Sequence, residues 1–376
     1  MTVSARLGSY YFVYFAYIGV LAPYLSLWLA ARGYAPAEIA LVLAMPHVAR
    51  VFAPALWGWI ADRTGWQREI VVFAAFAVFG GFAALSFAHG VAQMAAVMLL
   101  LSVLASGSMP LVEAAALAAT RARPGGYGIV RVWGSISFIL AVLATGAWLD
   151  HHSVDTVIGI IVGLAGLVCI AAFGIPSRAP HRGPAGSASI GAMLARADVL
   201  AFFGACMCMS VAHGALYAFL SIHLEAAGYS KPAIGALWTL GSAAEIAVFF
   251  FLPQLMRRYS LRALLIASFA CAAVRFLVLG WLVDVLALLI VAQLLHAATF
   301  GSFHAASMAT VHRMFSGRLE ARGQALYASL TYGVGGAAGT LIAGWTWQAL
   351  GPGLSFTVSS LAGALGAALV AWKLRV

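Results

Sequence analysis

Runs of about twenty consecutive apolar residues recur along the whole chain, and this spacing constrains the fold more than any single motif does. Twenty residues of α-helix rise about 30 Å, the thickness of a bilayer's hydrocarbon core. In hydrocarbon every backbone polar group must find its partner within the structure, which leaves helices or closed barrels. The alternating pattern of barrel strands is absent. Twelve runs are placed, near residues 7–30, 38–60, 70–88, 93–119, 127–149, 155–175, 198–223, 232–255, 262–282, 285–308, 323–349 and 353–373. With 64% of residues hydrophobic and 9% charged, the chain carries more apolar surface than a water-soluble interior can hide. The expected class is all-α integral membrane. The first run follows Arg6, is too long for a signal-peptide core and lacks a small-residue cleavage site, so it reads as a permanent span.

A net charge of +10 raises the question of nucleic acid. The placement of the charge argues against it. With the N-terminus inside, most basic residues fall in cytoplasmic loops, and outside the spans only Arg32 and Lys231 fall on the far side. Acidic residues show no such bias, as the positive-inside rule requires. Both termini are then cytoplasmic. Arginine greatly outnumbers lysine and alanine and glycine are abundant, which points to a GC-rich bacterial genome and so to a cytoplasmic (inner) membrane. The four cysteines (Cys169, Cys206, Cys208, Cys271) all lie in spans and read as small core residues, with neither a disulfide nor a metal site expected.

The longest polar stretch, "PSRAPHRGPAGSASIGAMLARAD" (176–198), reads as a linker between two groups of six helices. The expected domains are residues 1–175 and 198–376, joined by 176–197. The halves resemble each other. "SLWLAARGYAPAEIALVL" (26–43) aligns with "SIHLEAAGYSKPAIGALW" (221–238), six of eighteen positions being identical, including a Gly-Tyr pair. Parallel repeats of this kind build transporters from two pseudo-symmetric bundles, with the cargo site near mid-membrane.

Between the second and third runs stands "GWIADRTGWQR" (58–68). Gly58 is expected to permit close helix approach. Asp62 is expected to cap a helix end or pair with a basic residue, and Arg63, Gly65 and Arg68 complete a loop suited to a cytoplasmic gate. The loop resembles the signature of the major facilitator superfamily, although Trp66 and Gln67 stand where that pattern has basic residues. The matching place in the second half keeps only Arg257 and Arg258.

Five ionisable residues fall inside apolar runs: Arg50, Glu113, Arg131, Glu245 and Arg275. Each costs at least ~2.5–3.5 kcal/mol at a helix centre, so together they mark a pathway through the bundle interior. Glu113 lies roughly 10 Å before the end of the fourth run and Arg131 roughly 7 Å after the start of the fifth, which puts them at similar depth and able to pair. Their alternative is a helix–helix clip without a transport role. "PLVEA" (110–114) followed by "GIVRVWGSISF" (128–138) resembles the corresponding hairpin of lactose permease and related proton symporters. That resemblance implies an acid and an arginine in Glu113 and Arg131, a glycine in Gly134 and a stacking aromatic in Phe138. The symporter pattern places a glutamate three residues after a histidine in the tenth run, where this chain has Thr299 after His296. "LLHAATFGSFHAASM" (294–308) and "AAGYSKPAIGALWTLGSAAEI" (226–246) instead look like the phenylpropionate permease branch of the superfamily. The resemblance implies proton-coupled uptake of a small aromatic carboxylate by rocking of the two halves.

Three arginines against two glutamates leave one positive charge for a monoanionic cargo, and a guanidinium fork suits a carboxylate. Arg131, Arg275 and Arg50 are the candidates for it. Tyr10, Tyr14, Trp133, Phe138, Tyr217, Trp238 and Phe300 are candidate apolar lining, with ordinary packing as the alternative. For the proton, Glu245 comes first and Glu113 second; a carboxylate poised between an apolar cavity and a nearby arginine can load and release. His296 and His304, eight apart, are candidate relays; His47, His213 and His312 rank lower. No cofactor is expected beyond the proton gradient that drives transport. The partners expected are an anionic small molecule, protons and lipid, and the chain is expected to be a monomer. A neutral sugar or nucleoside cargo, or export, is the runner-up. An enzyme would need a nucleophile with its base or clustered metal ligands, and no Gly-x-Ser-x-Gly, His-Glu-x-x-His or paired-Asp motif stands in any run.

Overall fold

The computed structural model describes residues 2–121, 126–176 and 191–374, the side chains of Ala192 and Arg318 apart. Most of the expected linker, and the tip of the hairpin that carries Glu113 and Arg131, lie outside these residues. Among the described residues the structure is helical throughout. We number its spans α1 (Val3–Ala31), α2 (Pro36–Thr64), α3 (Gln67–Ser86), α4 (Val91–Thr120), α5 (Gly126–Leu149), α6 (Thr156–Ala172), α7 (Ala197–Ala226), α8 (Lys231–Arg258), α9 (Leu261–Trp281), α10 (Leu286–Met314), α11 (Glu320–Tyr327, Ala328–Gly335 and Gly336–Leu350 in succession) and α12 (Pro352–Lys373). Ten of these are long and apolar enough to cross a bilayer. The other two are α6, which is shorter, and α11, which changes helix type along its length.

The Gly-Tyr repeat has a local cause. Gly33 and Gly228 both take positive φ, 82° and 86°, a region costly for any residue with a Cβ. Each ends its helix in the same way. Tyr34 N–H donates back to the Leu29 carbonyl and Tyr229 N–H to the Leu224 carbonyl, satisfying carbonyls that the helix end leaves unpaired.

The chain forms two compact units. Unit 1 comprises Met1–Tyr34, Val48–Pro184 and Ser230–Ala236, and within it α1 packs on α5 and α6 while α3 packs on α4 and α6. Unit 2 comprises Ala35–His47, Ala185–Tyr229 and Leu237–Val376, and within it α12 packs on α9 and α7. Each unit takes in the first residues of one helix from the other half of the sequence. Glycine makes the room. Gly235 and Gly146 both close on the Tyr24 hydroxyl, which donates to the Val142 carbonyl at 2.9 Å. In unit 2, Gly344 leaves no space for a Cβ beside Ala40. Small residues are what allow helices to approach closely where lipid supplies no hydrophobic drive.

Two stretches are π-helical: Ala297–Ser302 within α10 and Ala328–Gly335 within α11. Both lie in unit 2, and both border the polar groups described next.

Candidate functional site: a guanidinium on aromatic rings in unit 1 and a histidine ladder in unit 2

In unit 1, α1 carries a column of rings. Tyr10 stacks on Tyr14 (5.8 Å between centroids), Tyr14 meets Tyr17 edge-on (5.1 Å), and Tyr11 stacks on Phe15 (6.2 Å). The Tyr10 and Tyr11 hydroxyls are buried without a hydrogen-bond partner among the described residues. Arg131 of α5 lays its guanidinium over Phe15 at 4.1 Å and over Tyr11 at 5.6 Å. Such a cation is attracted by the negative ring face. Gly134, one turn on, makes this possible: a Cβ there would stand 2.7 Å from Phe15 Cδ2 and 2.9 Å from Arg131 Nη1.

The expected pairing of Glu113 with Arg131 is corrected here. The two charges act on one another, but among the described residues no ion pair joins them, because the guanidinium is turned onto the rings of α1. Arg50 neighbours Tyr14. Trp133 is half exposed, tilts against Phe12 at 6.4 Å and covers Gly8; two residues from Arg131, it occupies a different face of α5. Phe138 meets α1 through its backbone, where Gly19 presses on its carbonyl, and among the described residues no protein ring stacks on it.

The loop between α2 and α3 is also partly corrected. Gly65 has φ 74° and needs to be glycine. Gly58 does not serve helix approach, since nothing described lies within 4 Å of a Cβ placed there. Asp62 is exposed, and Arg63 lies over the Trp59 ring at 4.4 Å. Arg68 Nη2 donates to the Phe173 carbonyl at 2.9 Å, tying the loop to the end of α6.

In unit 2, Arg275 of α9 is 1% exposed and organises its surroundings. Nη1 donates to His296 Nδ1 at 3.1 Å and to Thr299 Oγ1 at 3.0 Å; Nη2 donates to Gln293 Oε1 at 3.1 Å. Gln293 is held in turn by donating to the Leu237 carbonyl at 2.9 Å. Both terminal nitrogens of Arg275 are engaged by protein groups, while its Nε is buried with no partner among the described residues. Arginine has donors only, so His296 Nδ1 accepts and the ring proton sits on Nε2. That nitrogen lies 3.8 Å from Glu245 Oε2. Gly301 gives Glu245 its place, a Cβ there standing 3.2 Å from Glu245 Cγ. His213 donates from Nδ1 to the Met209 carbonyl at 2.8 Å, which leaves Nε2 as a buried acceptor with no partner among the described residues. Its ring neighbours Tyr217 at 5.8 Å and His296 at 6.3 Å. Tyr217 neighbours Trp238 at 6.2 Å, and the Trp238 indole donates to Ser221 at 2.9 Å.

Along α10, His296, Phe300 and His304 form a near-parallel stack, with centroids 5.4 and 6.5 Å apart. His304 Nδ1 is met by the Tyr332 hydroxyl at 3.0 Å and the Tyr327 hydroxyl at 3.4 Å, and the two hydroxyls are 3.2 Å apart. The Tyr332 carbonyl meets His47 Nδ1 at 2.8 Å. His312, exposed at the end of α10, pairs with Glu320 at 2.9 Å. Gln293, Tyr327 and Tyr332 were not singled out by the sequence. The two tyrosines are five apart, which in an α-helix puts them about 140° from each other. The π-helical turn, with hydrogen bonds reaching five residues, brings both to one histidine.

Comparison with known proteins agrees with this architecture. The model of the MFS_1 like family matches residues 4–358. A probable 3-phenylpropionic acid transporter of Escherichia coli (strain K12) is 33% identical over 94% of this chain and 93% of its own length. Maltose permease of Geobacillus stearothermophilus is 26% identical over 97% and 94%. Among solved structures, a mutant form of the nucleoside transporter NupG superposes with a TM-score of 0.87 over 98% of both chains at 16% identity, a likeness of fold. These matches describe a membrane transporter and not an enzyme. The chain, with two helical units, belongs to the MFS_1 like family of major facilitator transporters.

Proposed function

We propose that the protein is a proton-coupled symporter that imports a small aromatic carboxylate, of which 3-phenylpropionate is the type, across a bacterial inner membrane by alternating access. The observation that carries this reading is Arg131. Its guanidinium rests on aromatic faces, donates to the Tyr127 hydroxyl and has no carboxylate bound to it among the described residues, so its charge remains for an anionic cargo while the neighbouring rings suit an aryl group. The similarity to a probable 3-phenylpropionic acid transporter supports the same cargo. Arg50 and Tyr14 are proposed to serve the cargo in unit 1, and Tyr217, Trp238 and Phe300 to serve it in unit 2.

The proton is assigned to Glu245. Protonating His296 at Nδ1 would break its bond to Arg275 and set two cations side by side, whereas a proton on Glu245 leaves that bond intact. The His296 Nε2–H facing Glu245 then senses whether that carboxylate is charged. Glu113, close enough to feel Arg131, is the second carrier. Arg63 and Arg68 are proposed to serve the cytoplasmic gate, with both termini on that side.

The test uses purified protein in vesicles with radiolabelled 3-phenylpropionate. Wild type accumulates label only under an inward proton gradient. Glu245→Gln loses accumulation but keeps exchange of internal for external label. Undiminished uphill uptake by this variant removes Glu245 as carrier. Uptake that maltose or a nucleoside suppresses and phenylpropionate does not would transfer the protein to the neutral-cargo reading that its other relatives suggest.

A further inference from the structure

Where α8 ends, α9 begins and α12 ends, all within unit 2, stand four cations: Arg257, Arg258, Arg262 and Lys373. Arg262 ties two of these helix ends together, its Nη2 donating to the Ala371 carbonyl across the α9–α12 contact. The three arginines are exposed. No acid accompanies the four in sequence: none occurs in residues 246–283 or after Glu320. Other basic places differ. Asp62 adjoins Arg63, Glu69 adjoins Arg68, and Asp198 binds Arg196 at 2.6 Å. The charge bias of membrane proteins would by itself ask for basic residues and nothing more. This end of unit 2 has two further features.

The first is aromatic. Trp372 is 74% exposed and carries Lys373 Nζ over its ring at 4.2 Å; Tyr259, also exposed, carries the Arg258 guanidinium at 5.7 Å. Amphipathic rings of this kind sit at the level of lipid headgroups. The second is a furrow. α9 and α12 pack closely, since a Cβ on Gly363 would stand 3.2 Å from the Ala273 amide nitrogen and Gly366 leaves no room for one beside Phe269. Ala263 and Ala270 lie about 100° round α9 from Phe269, and Ala364 and Ala371 about 100° round α12 from Gly363. All four alanines are exposed, while the opposite flanks of the contact, at Ser268 and Ser355, are buried. The alanines therefore border the contact line on its outer side, and with only methyl groups there the line is recessed. It runs inward from Arg262 and Trp372 for two turns, about 12 Å.

We infer that this furrow and its basic rim bind one anionic phospholipid. Its phosphate is held by Arg258, Arg262 and Lys373, and one acyl chain lies along Ala263, Ala270, Ala364 and Ala371. Charge complementarity selects the anionic headgroup over a zwitterionic one. It also argues against a second copy of this chain on the same face, because a two-fold axis along the bilayer normal would set four cations against four.

The test is native mass spectrometry of the detergent-solubilised protein, titrated with dioleoyl phosphatidylglycerol and, separately, with dioleoyl phosphatidylcholine. Wild type should bind the anionic lipid more tightly. One basic residue beside an anionic headgroup is worth about fivefold in Kd. Arg258→Gln and Lys373→Gln, both surface changes at helix ends, should therefore each weaken phosphatidylglycerol about fivefold and together about 25-fold, with phosphatidylcholine unaffected. Arg313→Gln removes an exposed cation at the end of α10 and should change neither lipid. An equal loss in Arg313→Gln, or no loss in the double variant, overturns the site. Ala270→Trp fills the furrow and leaves the cations in place; it should weaken phosphatidylglycerol, and an unchanged Kd overturns the placement of the acyl chain. Inorganic phosphate that displaces the lipid at a similar concentration would make this a site for a free anion. A wild-type dimer that Ala270→Trp dissociates would give the furrow to a second copy. Either result refutes the lipid.

Discussion

Replacing Arg275 by lysine keeps the charge and removes the fork. Three hydrogen bonds leave this guanidinium, to His296, Thr299 and Gln293, at 3.0–3.1 Å. An ammonium is a compact donor at one point and cannot span acceptors that Nη1 and Nη2 reach separately. One bond survives and two are lost. Hydrogen bonds to charged groups contribute about 1.5–3 kcal/mol each, so the loss is about 3–6 kcal/mol. It falls entirely on the folded state, since Arg275 is 1% and Gln293 2% exposed and no solvent replaces the missing donors. Arg131→Lys is the control, because Arg131 rests on ring faces and a lysine there retains a cation–π contact, predicting a change of about 1 kcal/mol or less. Equilibrium unfolding of both variants in mild detergent gives the comparison. If Arg275→Lys falls within about 1 kcal/mol of wild type, the guanidinium does not organise this cluster, and the tautomer assigned to His296 loses its basis.

Two glycines give sharper perturbations. Gly134→Ala should drive Arg131 off Phe15, because the new methyl needs the space that both occupy; Kd for 3-phenylpropionate should rise about tenfold or more, the loss expected when one charge-assisted bond is misplaced, and an unchanged Kd would refute the placement of the anion at Arg131. Gly214→Ala sets a methyl against the Gly339 backbone, which cannot swing aside as a side chain can, so destabilisation at the upper end of the about 1–3 kcal/mol typical of overpacking is expected; wild-type thermal stability in detergent would mean that the α7–α11 approach is looser than described.

The spans, the repeat and the buried charges were legible in the chain because each is a local property. Apolar runs show as length, the Gly-Tyr turn shows because only glycine takes its φ cheaply, and Glu245, Arg275 and His296 show because lipid excludes them unless they are used. What was not legible depends on a third element. Hairpin geometry put Glu113 and Arg131 at one depth, but rings of α1, far away in sequence, compete for the guanidinium and hold it. Gly58 matched a motif, yet a motif says nothing about whether a neighbour is present. Tyr327 and Tyr332 were invisible because the apolar pattern of α11 does not record a change of helix type, and in an α-helix their separation would place them on different faces.

The wide turn at Ala328–Gly335 carries one residue more per turn than its flanks. Such a turn amounts to a single extra amino acid accommodated without breaking the helix, and it re-aims everything beyond it by about 100°. A lineage that gains or drops one codon there would rotate Tyr332 against a fixed Tyr327, change which hydroxyls meet His304, and turn the later part of α11 with it. Reading frame within a helix, and not only residue identity, thereby decides which side chains meet across two helices.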